Sequence, residues 1–277
     1  MFRWQKCDAG WFGVDGDHWY RVSEAEPSAN GLSVVSIESN ASEEEFRRLF
    51  YLEWDAAQIA AEIVANAPEF EPYVGAFNGL RLMRSSCSTE VFFSFLCTPN
   101  NNLTRIVPMV RHLATYGRVM DVVDGTPIHR FPDVETIAAI PEAELRAKAF
   151  GYRAATIPAV AVQVLKRGPK WIEGLKHVPL EDAHRELCEL KGIGPKLADC
   201  ICLFALHHTE AIPIDTHIWQ AYVRLYRPEW KDKAVTDSRY REAASFLRKR
   251  FHPHGGWAQQ FLFYDNMLHW RERRGRI

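Results

Sequence analysis

Leu190-Lys191-Gly192-Ile193-Gly194-Pro195-Lys196-Leu197-Ala198-Asp199 decides how this chain is read. Before it, Asp182 to Leu190 spaces leucines three apart on a mixed polar face. After it, Leu197 to Leu206 is a compact apolar run, so the glycines punctuate two helices. Gly192 and Gly194 are both free to take positive φ and to let another backbone approach closely. Pro195 suits a first helical position, where its missing N–H costs nothing. The remaining N–H groups at that helix start face an anion, which makes a phosphate grip beside an amine. The positive end of the helix dipole disfavours a charged amine there. Lys196 is therefore expected to be partly neutral near pH 7, as an amine nucleophile must be. The simpler reading is that Lys196 only pairs with a phosphate.

Downstream, Ala211-Ile212-Pro213-Ile214-Asp215-Thr216-His217-Ile218-Trp219 puts Asp215 at an N-cap, with Ile218, Tyr222 and Leu225 following at helical spacing. Asp215 then faces the same cleft as Lys196 if the two helices pack side by side. A cap alone is worth roughly 1 kcal/mol, and capping and catalysis are compatible roles.

These residues resemble the helix-hairpin-helix DNA glycosylases with a Gly/Pro-rich loop and Asp, and within them the 8-oxoguanine DNA glycosylase/AP lyase branch. The likeness extends from the hairpin through Val178 to Tyr226. It recurs at Ser94-Phe95-Leu96-Cys97-Thr98-Pro99-Asn100-Asn101-Asn102, at Phe150-Gly151-Tyr152-Arg153-Ala154 and at Gly256-Trp257-Ala258-Gln259-Gln260-Phe261-Leu262-Phe263, in the family's order over about residues 75 to 265.

The resemblance implies a task for each block. A glycosylase must extrude its target nucleotide from the stack and fill the gap. Asn100, Tyr152 and Arg153 match positions that plug the gap and read the orphaned cytosine, with Arg105 a further contact. Cytosine offers acceptors at O2 and N3, which suits guanidinium groups. On residues alone, one of Asn100 to Asn102 is a helix N-cap, and Tyr152 and Arg153 are an exposed turn pair. Phe263 and Cys200 match positions on either face of the flipped base. Gln259, one helical turn before Phe263, matches the residue that bonds its Watson–Crick edge. His217 and the hairpin glycines Gly192 and Gly194 match phosphate contacts, although a surface histidine is the alternative for His217. The backbone carbonyls of Cys188, Leu190 and Ile193 match those that hold a structural cation. No other cofactor is implied. In this reading the Lys196 amine attacks C1′ and leaves an imine, with Asp215 stabilising the developing positive charge.

One departure concerns selectivity. Relatives carry Gly-Gln-x-Phe-Arg-Trp near the amino end, and only Phe2-Arg3-Trp4 follows Met1 here. The missing glycine's carbonyl accepts the N7 proton that distinguishes 8-oxoguanine from guanine. Three explanations stand: the native start lies upstream, another acceptor substitutes, or selectivity is weaker.

Composition permits the assignment. The chain has 277 residues, enough for two or three packed lobes, and is 47% hydrophobic with nine Trp and sixteen Phe to fill their cores. No apolar run approaches the roughly 18 residues of a spanning helix, and no signal-peptide core follows Met1. A soluble, intracellular protein is expected, nuclear or in a prokaryotic cytoplasm or nucleoid, monomeric and not bound to membrane. The six cysteines, at 7, 87, 97, 188, 200 and 202, show no paired metal spacing. The endonuclease III and adenine glycosylase branches hold an iron–sulfur cluster in a C-terminal four-cysteine run. No iron–sulfur cluster is expected here, and the thiols are expected to be free.

The 34 basic and 35 acidic side chains nearly cancel. Their distribution does not: residues 31–70 carry eight acidic and two basic side chains, whereas 246–277 carry seven basic and two acidic, including Arg271, Arg273, Arg274 and Arg276. That asymmetry suits a protein that touches a polyanion with one face, and it also suits an ordinary solvated surface.

The expected fold is mainly α with a small N-terminal antiparallel sheet: an N-terminal domain over 1–85 and a helix-hairpin-helix core of two helical lobes flanking a cleft over 86–277, with the motif at about 182–206. Strand-like alternation covers the first forty residues, including Leu32 to Ile37. Helices are expected over Glu43–Leu49, Ala56–Ala65, Val91–Leu96, Asn102–Tyr116, Val134–Ile140, Glu142–Phe150, Arg153–Arg167, Trp171–Leu175 and Asp237–Arg250. Gly117 to Pro132 reads as irregular, with a turn at Asp124-Gly125. The partner expected is damaged double-stranded DNA. Two other readings are a non-catalytic helix-hairpin-helix DNA-binding module and a glycosylase for oxidised pyrimidines. Lys196, Asp215, Gln259 and Phe263 together argue against the first. The absent cysteine run and the Arg105–Arg153 pair argue against the second.

Overall fold

The computed structural model describes residues 1–8, 10–23 and 35–274, with side chains up to 268. The strand expectation at Leu32 to Val34 and the basic side chains of Arg271, Arg273, Arg274 and Arg276 lie outside the described residues.

Four strands open the chain: β1 (Gln5–Cys7), β2 (Gly10–Asp15), β3 (His18–Ser23) and β4 (Ile37–Ser39), an antiparallel meander in sequence order. Gly16, at φ +57°, turns the β2–β3 hairpin so that Val14 pairs with Trp19 and Asp15 with His18. Gly13 is required for space, because a Cβ there would lie 2.1 Å from the Trp4 ring. Trp4 in turn stacks on Tyr20, with centroids 6.0 Å apart.

Then come α1 (Glu43–Leu49), α2 (Ala56–Asn66), α3 (Glu71–Ala76), α4 (Ser88–Leu96) and α5 (Leu103–Ala114). α1 starts with a full capping box from Ser42 and Glu45, and Asp55 caps α2. α4 is buried on nearly every side, and its Glu90 receives the Arg3 guanidinium through bonds of 2.9 and 2.5 Å. Arg3 also donates to the His129 carbonyl at 2.6 Å, so one guanidinium ties the amino end both to α4 and to the segment that ends at His129.

Gly117 to Pro132 is not irregular. β5 (Val119–Val123) and β6 (Thr126–His129) form a hairpin about Asp124 and Gly125, both at positive φ. An Asp-Gly pair between β-branched residues is a strong hairpin signal, and the flanking Val122 and Val123 extend the turn into paired strands. This hairpin packs Ile128 against Val14 and Trp19, and Asp121 accepts a bond of 2.6 Å from the Trp19 indole.

The rest is helical: α6 (Val134–Ala139), α7 (Glu142–Ala147), α8 (Arg153–Arg167), α9 (Trp171–Gly174), α10 (Leu180–Cys188), α11 (Pro195–Phe204), α12 (Thr216–Tyr226), α13 (Asp237–Arg250) and α14 (Gly255–Arg274). One group gathers α6, α7 and α9 on α8, and a second gathers α3, α12 and α13 on α14. α11 packs on α10 and α4. A single hydrophobic core runs from Tyr51 to Leu262 through both groups. No helix among the described residues is long and apolar enough to cross a membrane.

Candidate active site

The hairpin between α10 and α11 is held against α8. Gly192 sits at φ +113°, and a Cβ there would lie 3.0 Å from Thr156 Cγ2 and 3.6 Å from Val160 Cγ2. Next to it the Gln163 side chain accepts from the Lys191 N–H at 2.9 Å and donates to the Lys191 carbonyl at 3.4 Å. Sequence reasoning missed Gln163, which carries no local signal because its partner lies 28 residues away.

Gly194 corrects the expectation of two positive-φ glycines. It is the N-cap of α11 at φ −97°, ψ 174°, a conformation open to any residue, and nothing lies within 4 Å of a Cβ built there. What Gly194 provides is an unobstructed approach to the start of α11, where Pro195 occupies the first turn as expected.

Lys196 is half-buried, with the Cys200 sulfur and the Asp215 carboxylate as its electrostatic neighbours. Burial pushes its ammonium down, but those two neighbours more than offset it and hold the pKa above the ordinary lysine value. This overturns the expectation of a partly neutral amine: in the DNA-free protein Lys196 is a cation. That expectation rested on the helix dipole and left out the Cys200 and Asp215 side chains, which raise the value. Burial pushes the Cys200 thiol up to about 11, so it is uncharged at neutral pH and Asp215 is the charged partner that remains.

Asp215 is the N-cap of α12, where its Oδ1 accepts from the Ile218 N–H at 2.9 Å. Its cap and its proximity to Lys196 are thus compatible in one side chain. Two residues on, His217 Nδ1 accepts from the buried Asn266 amide at 3.1 Å, which fixes its neutral ring proton on Nε2. Its ring also meets Phe263 edge to face, with centroids 5.1 Å apart. Phe263 is therefore half-buried beside the turn that carries Asp215 and is not a closed core aromatic. Gln259 is buried one turn earlier on α14. Its Oε1 accepts from Gln260 at 2.8 Å, and among the described residues its amide nitrogen has no hydrogen-bond partner. Asn266 was also missed by sequence reasoning, although it lies three residues after Phe263 on one helical face.

A second group forms around the carbonyl of Pro99. It accepts from the Tyr152 hydroxyl at 3.1 Å and from the Arg153 guanidinium. Asn100 follows in the left-handed region at φ +49° and is exposed, while Asn102 caps α5. Arg105 is exposed and donates to the Ala149 carbonyl at 3.2 Å. Tyr152 is exposed, but Arg153 is buried with its guanidinium 4.6 Å from the Tyr152 ring centroid, so an exposed turn pair is half wrong. Among the described residues Arg153 Nε is buried without a partner, an unused donor in this loop cluster. Among the described residues no hydrogen bond or ring contact joins this group to the one around Lys196.

At the hairpin, the Leu190 carbonyl accepts from the Ile193 N–H at 3.0 Å and retains a second lone pair. Among the described residues no group of three or more His, Cys, Asp or Glu is arranged to hold a metal. Carbonyls of Cys188, Leu190 and Ile193 therefore offer oxygen ligands only, the donor set of a hard cation.

The chain is 32% identical over 270 residues to the N-glycosylase/DNA lyase OGG1 of Arabidopsis thaliana, which covers 95% of this chain and 73% of that protein. The chain belongs to the N-glycosylase/DNA lyase family. Across this family, the Saccharomyces cerevisiae N-glycosylase/DNA lyase is 29% identical over 67% of the chain and 56% of its own length. No family model matches the chain. Among solved structures, the Clostridium acetobutylicum 8-oxoguanine glycosylase/lyase bound to double-stranded DNA with cytosine opposite 8-oxoguanine superposes with a TM-score of 0.82. It is 26% identical and covers 100% of this chain and 89% of that one.

Proposed function

We infer that this N-glycosylase/DNA lyase is a bifunctional enzyme that excises 8-oxoguanine opposite cytosine from duplex DNA and then cleaves the strand at the abasic site. The observation that carries the reading is the half-buried Lys196 amine, within electrostatic reach of the Asp215 carboxylate, next to a helix start with open space at Gly194. The Arabidopsis and Saccharomyces relatives are N-glycosylase/DNA lyases, the same two activities, and the Clostridium enzyme is bound to double-stranded DNA with cytosine opposite 8-oxoguanine.

The chemistry follows from those positions. The Lys196 ammonium must first lose a proton, and the departing base takes one up, so protons balance across the step. The freed amine forms a bond to C1′ as the bond to the base breaks. Asp215 faces the positive charge that develops on the sugar, where a fixed carboxylate costs no reorganisation. Opening of the sugar ring leaves an iminium link between Lys196 and C1′. Loss of a C2′ proton then expels the 3′ phosphate.

Site roles extend this reading. Phe263 and Cys200 flank the extruded base, and Gln259 offers its unused amide to the base edge. Arg153 and Arg105 read the widowed cytosine while Asn100 and Tyr152 fill the gap. For Arg153, one guanidinium nitrogen is engaged by the Pro99 carbonyl and its remaining donors face the cytosine acceptors. His217 presents Nε2–H to a phosphate near the lesion, and Gly192 and Gly194 let the next phosphate reach the α11 start. The carbonyls of Cys188, Leu190 and Ile193 would hold a hard cation, which would supply positive potential toward a DNA phosphate. Incubation with duplexes holding 8-oxoguanine opposite each of the four bases tests the function directly. Release of 8-oxoguanine fastest opposite cytosine, with strand cleavage, is expected. Binding without release, or release only of oxidised pyrimidines, contradicts it.

A further inference from the structure

Asp199 lies on α11 three residues beyond Lys196 and next to Cys200, yet nothing in the chemistry above uses it. It is fully buried. Its Oδ2 accepts from the Tyr240 hydroxyl of α13 at 2.5 Å, and its Oδ1 is buried without a partner among the described residues. The same Tyr240 oxygen accepts from the Ile214 N–H at 3.3 Å. Ile214 is itself buried and immediately precedes Asp215.

We propose that Asp199 and Tyr240 are positioning residues, a buried hydrogen-bond strut that sets the backbone carrying Asp215 at a fixed distance from the helix carrying Lys196. The strut runs from α11 through one phenol to the residue before the α12 cap. The hydroxyl spends its proton on Asp199 and accepts from Ile214, so its orientation is determined at both ends. Pro213 has no N–H, and the Asp215 N–H bonds the Pro213 carbonyl at 3.2 Å, so the Ile214 N–H is the donor of this stretch that reaches across to α13. Stability alone gives a poor reason for this arrangement. Burial holds the Asp199 carboxyl above its ordinary value, against the pull of His184, Tyr240 and Arg248, and an unpartnered oxygen adds to that cost. A group kept at such a cost and tied to the catalytic carboxylate's own backbone is accounted for by geometry, where a displacement of about 1 Å costs on the order of 100-fold in rate.

The inference rests on the glycosylase reading and is tested with the full chain on a duplex containing 8-oxoguanine opposite cytosine. Single-turnover excision, duplex affinity and thermal stability are measured for wild type, Tyr240→Phe, Asp215→Asn and the double variant. Tyr240→Phe is expected to slow excision by about 100-fold with duplex affinity unchanged. In the Asp215→Asn background the same change is expected to cost less than about threefold, because the strut acts through a group already removed. Asp199→Asn keeps an acceptor oxygen for Tyr240 and is expected to stay within about fivefold of wild type. If Tyr240→Phe does not fold, Asp199→Leu carries the same expectation as Tyr240→Phe. Equal losses in the two backgrounds, or a loss for Asp199→Asn as large as for Tyr240→Phe, overturn the strut. A wild-type protein that releases no base overturns the function instead, and a wild-type protein that works beside an unimpaired Tyr240→Phe overturns the strut alone.

Discussion

Gly192→Ala and Gly194→Ala are expected to fail in opposite ways, although the two glycines lie two residues apart in one hairpin. At Gly192 the backbone stands at φ +113°, where an L side chain is strained by about 1–3 kcal/mol. The new Cβ would also sit 3.0 Å from Thr156 Cγ2, so α8 must give by a few tenths of an ångström, an overpacking cost of about 1 kcal/mol. The total is about 2–4 kcal/mol, which lowers the melting temperature by roughly 4–16 °C at about 2–4 °C per kcal/mol. At Gly194 φ is −97° and a Cβ meets nothing. There the loss of a preferred N-cap residue and the stiffer unfolded chain nearly cancel, leaving stability within about 1 kcal/mol of wild type. The open space that tolerates the methyl is where a phosphate approaches, so Gly194→Ala should weaken duplex binding about tenfold, the loss of one charge-assisted hydrogen bond. Urea unfolding with an unchanged m-value reads the first effect, and fluorescence anisotropy with labelled duplex at fixed salt reads the second. Gly194→Ala with full affinity, or destabilised as much as Gly192→Ala, would refute the division of labour.

Asp215→Asn keeps an equally good helix cap, so unfolding should shift by less than about 0.5 kcal/mol while single-turnover excision falls about 100- to 1,000-fold. A small rate loss would reduce Asp215 to a cap. Phe263→Ala removes a half-buried ring from the base pocket and should weaken binding to lesion duplex by about 1–3 kcal/mol, the worth of a stacked base, with undamaged duplex little affected in anisotropy titrations. Asp199 sets a pH dependence whose sign is opposite to that of a salt-bridged carboxylate. Its folded pKa is raised by burial, so its contribution to stability is fully present below the ordinary carboxylate value of 3.8 and is lost as pH rises through the folded value. Asp199→Asn should therefore match or exceed wild type in urea unfolding at pH 7 and lose that advantage toward pH 4; a variant clearly less stable at pH 7 contradicts the burial argument.

Local chemistry made much of this molecule legible. α1, α8 and α13 run as read: Ser42 and Thr236 cap the first and last, and α8 and α13 repeat buried apolar residues at helical spacing. The Asp215 cap and Pro195 in the first turn of α11 follow from residue type alone. What escaped was set in part by contacts across the chain. The β5–β6 hairpin gains its packing from Trp19 and Val14, about a hundred residues earlier. α3 is a six-residue helix with no cap hydrogen bond and too short to show a period. Arg3 looked like a remnant of a family motif and is a buried partner of Glu90, 87 residues away. Arg153 reads as exposed in a turn, yet the Pro99 carbonyl and the Tyr152 ring draw it inward. Lys196 reads as partly neutral from its own helix start, whereas burial is offset by Cys200 and Asp215, which hold its pKa above the ordinary lysine value.

The central claim is that Lys196 supplies the attacking nitrogen. Borohydride reduction during turnover of an 8-oxoguanine·cytosine duplex, followed by proteolysis and mass spectrometry of the cross-linked peptide, tests it most directly. The account predicts a single DNA-linked peptide modified at Lys196, and no adduct from Lys196→Gln even though that variant still binds the lesion. An adduct that persists in Lys196→Gln, or that maps to another amine, contradicts it.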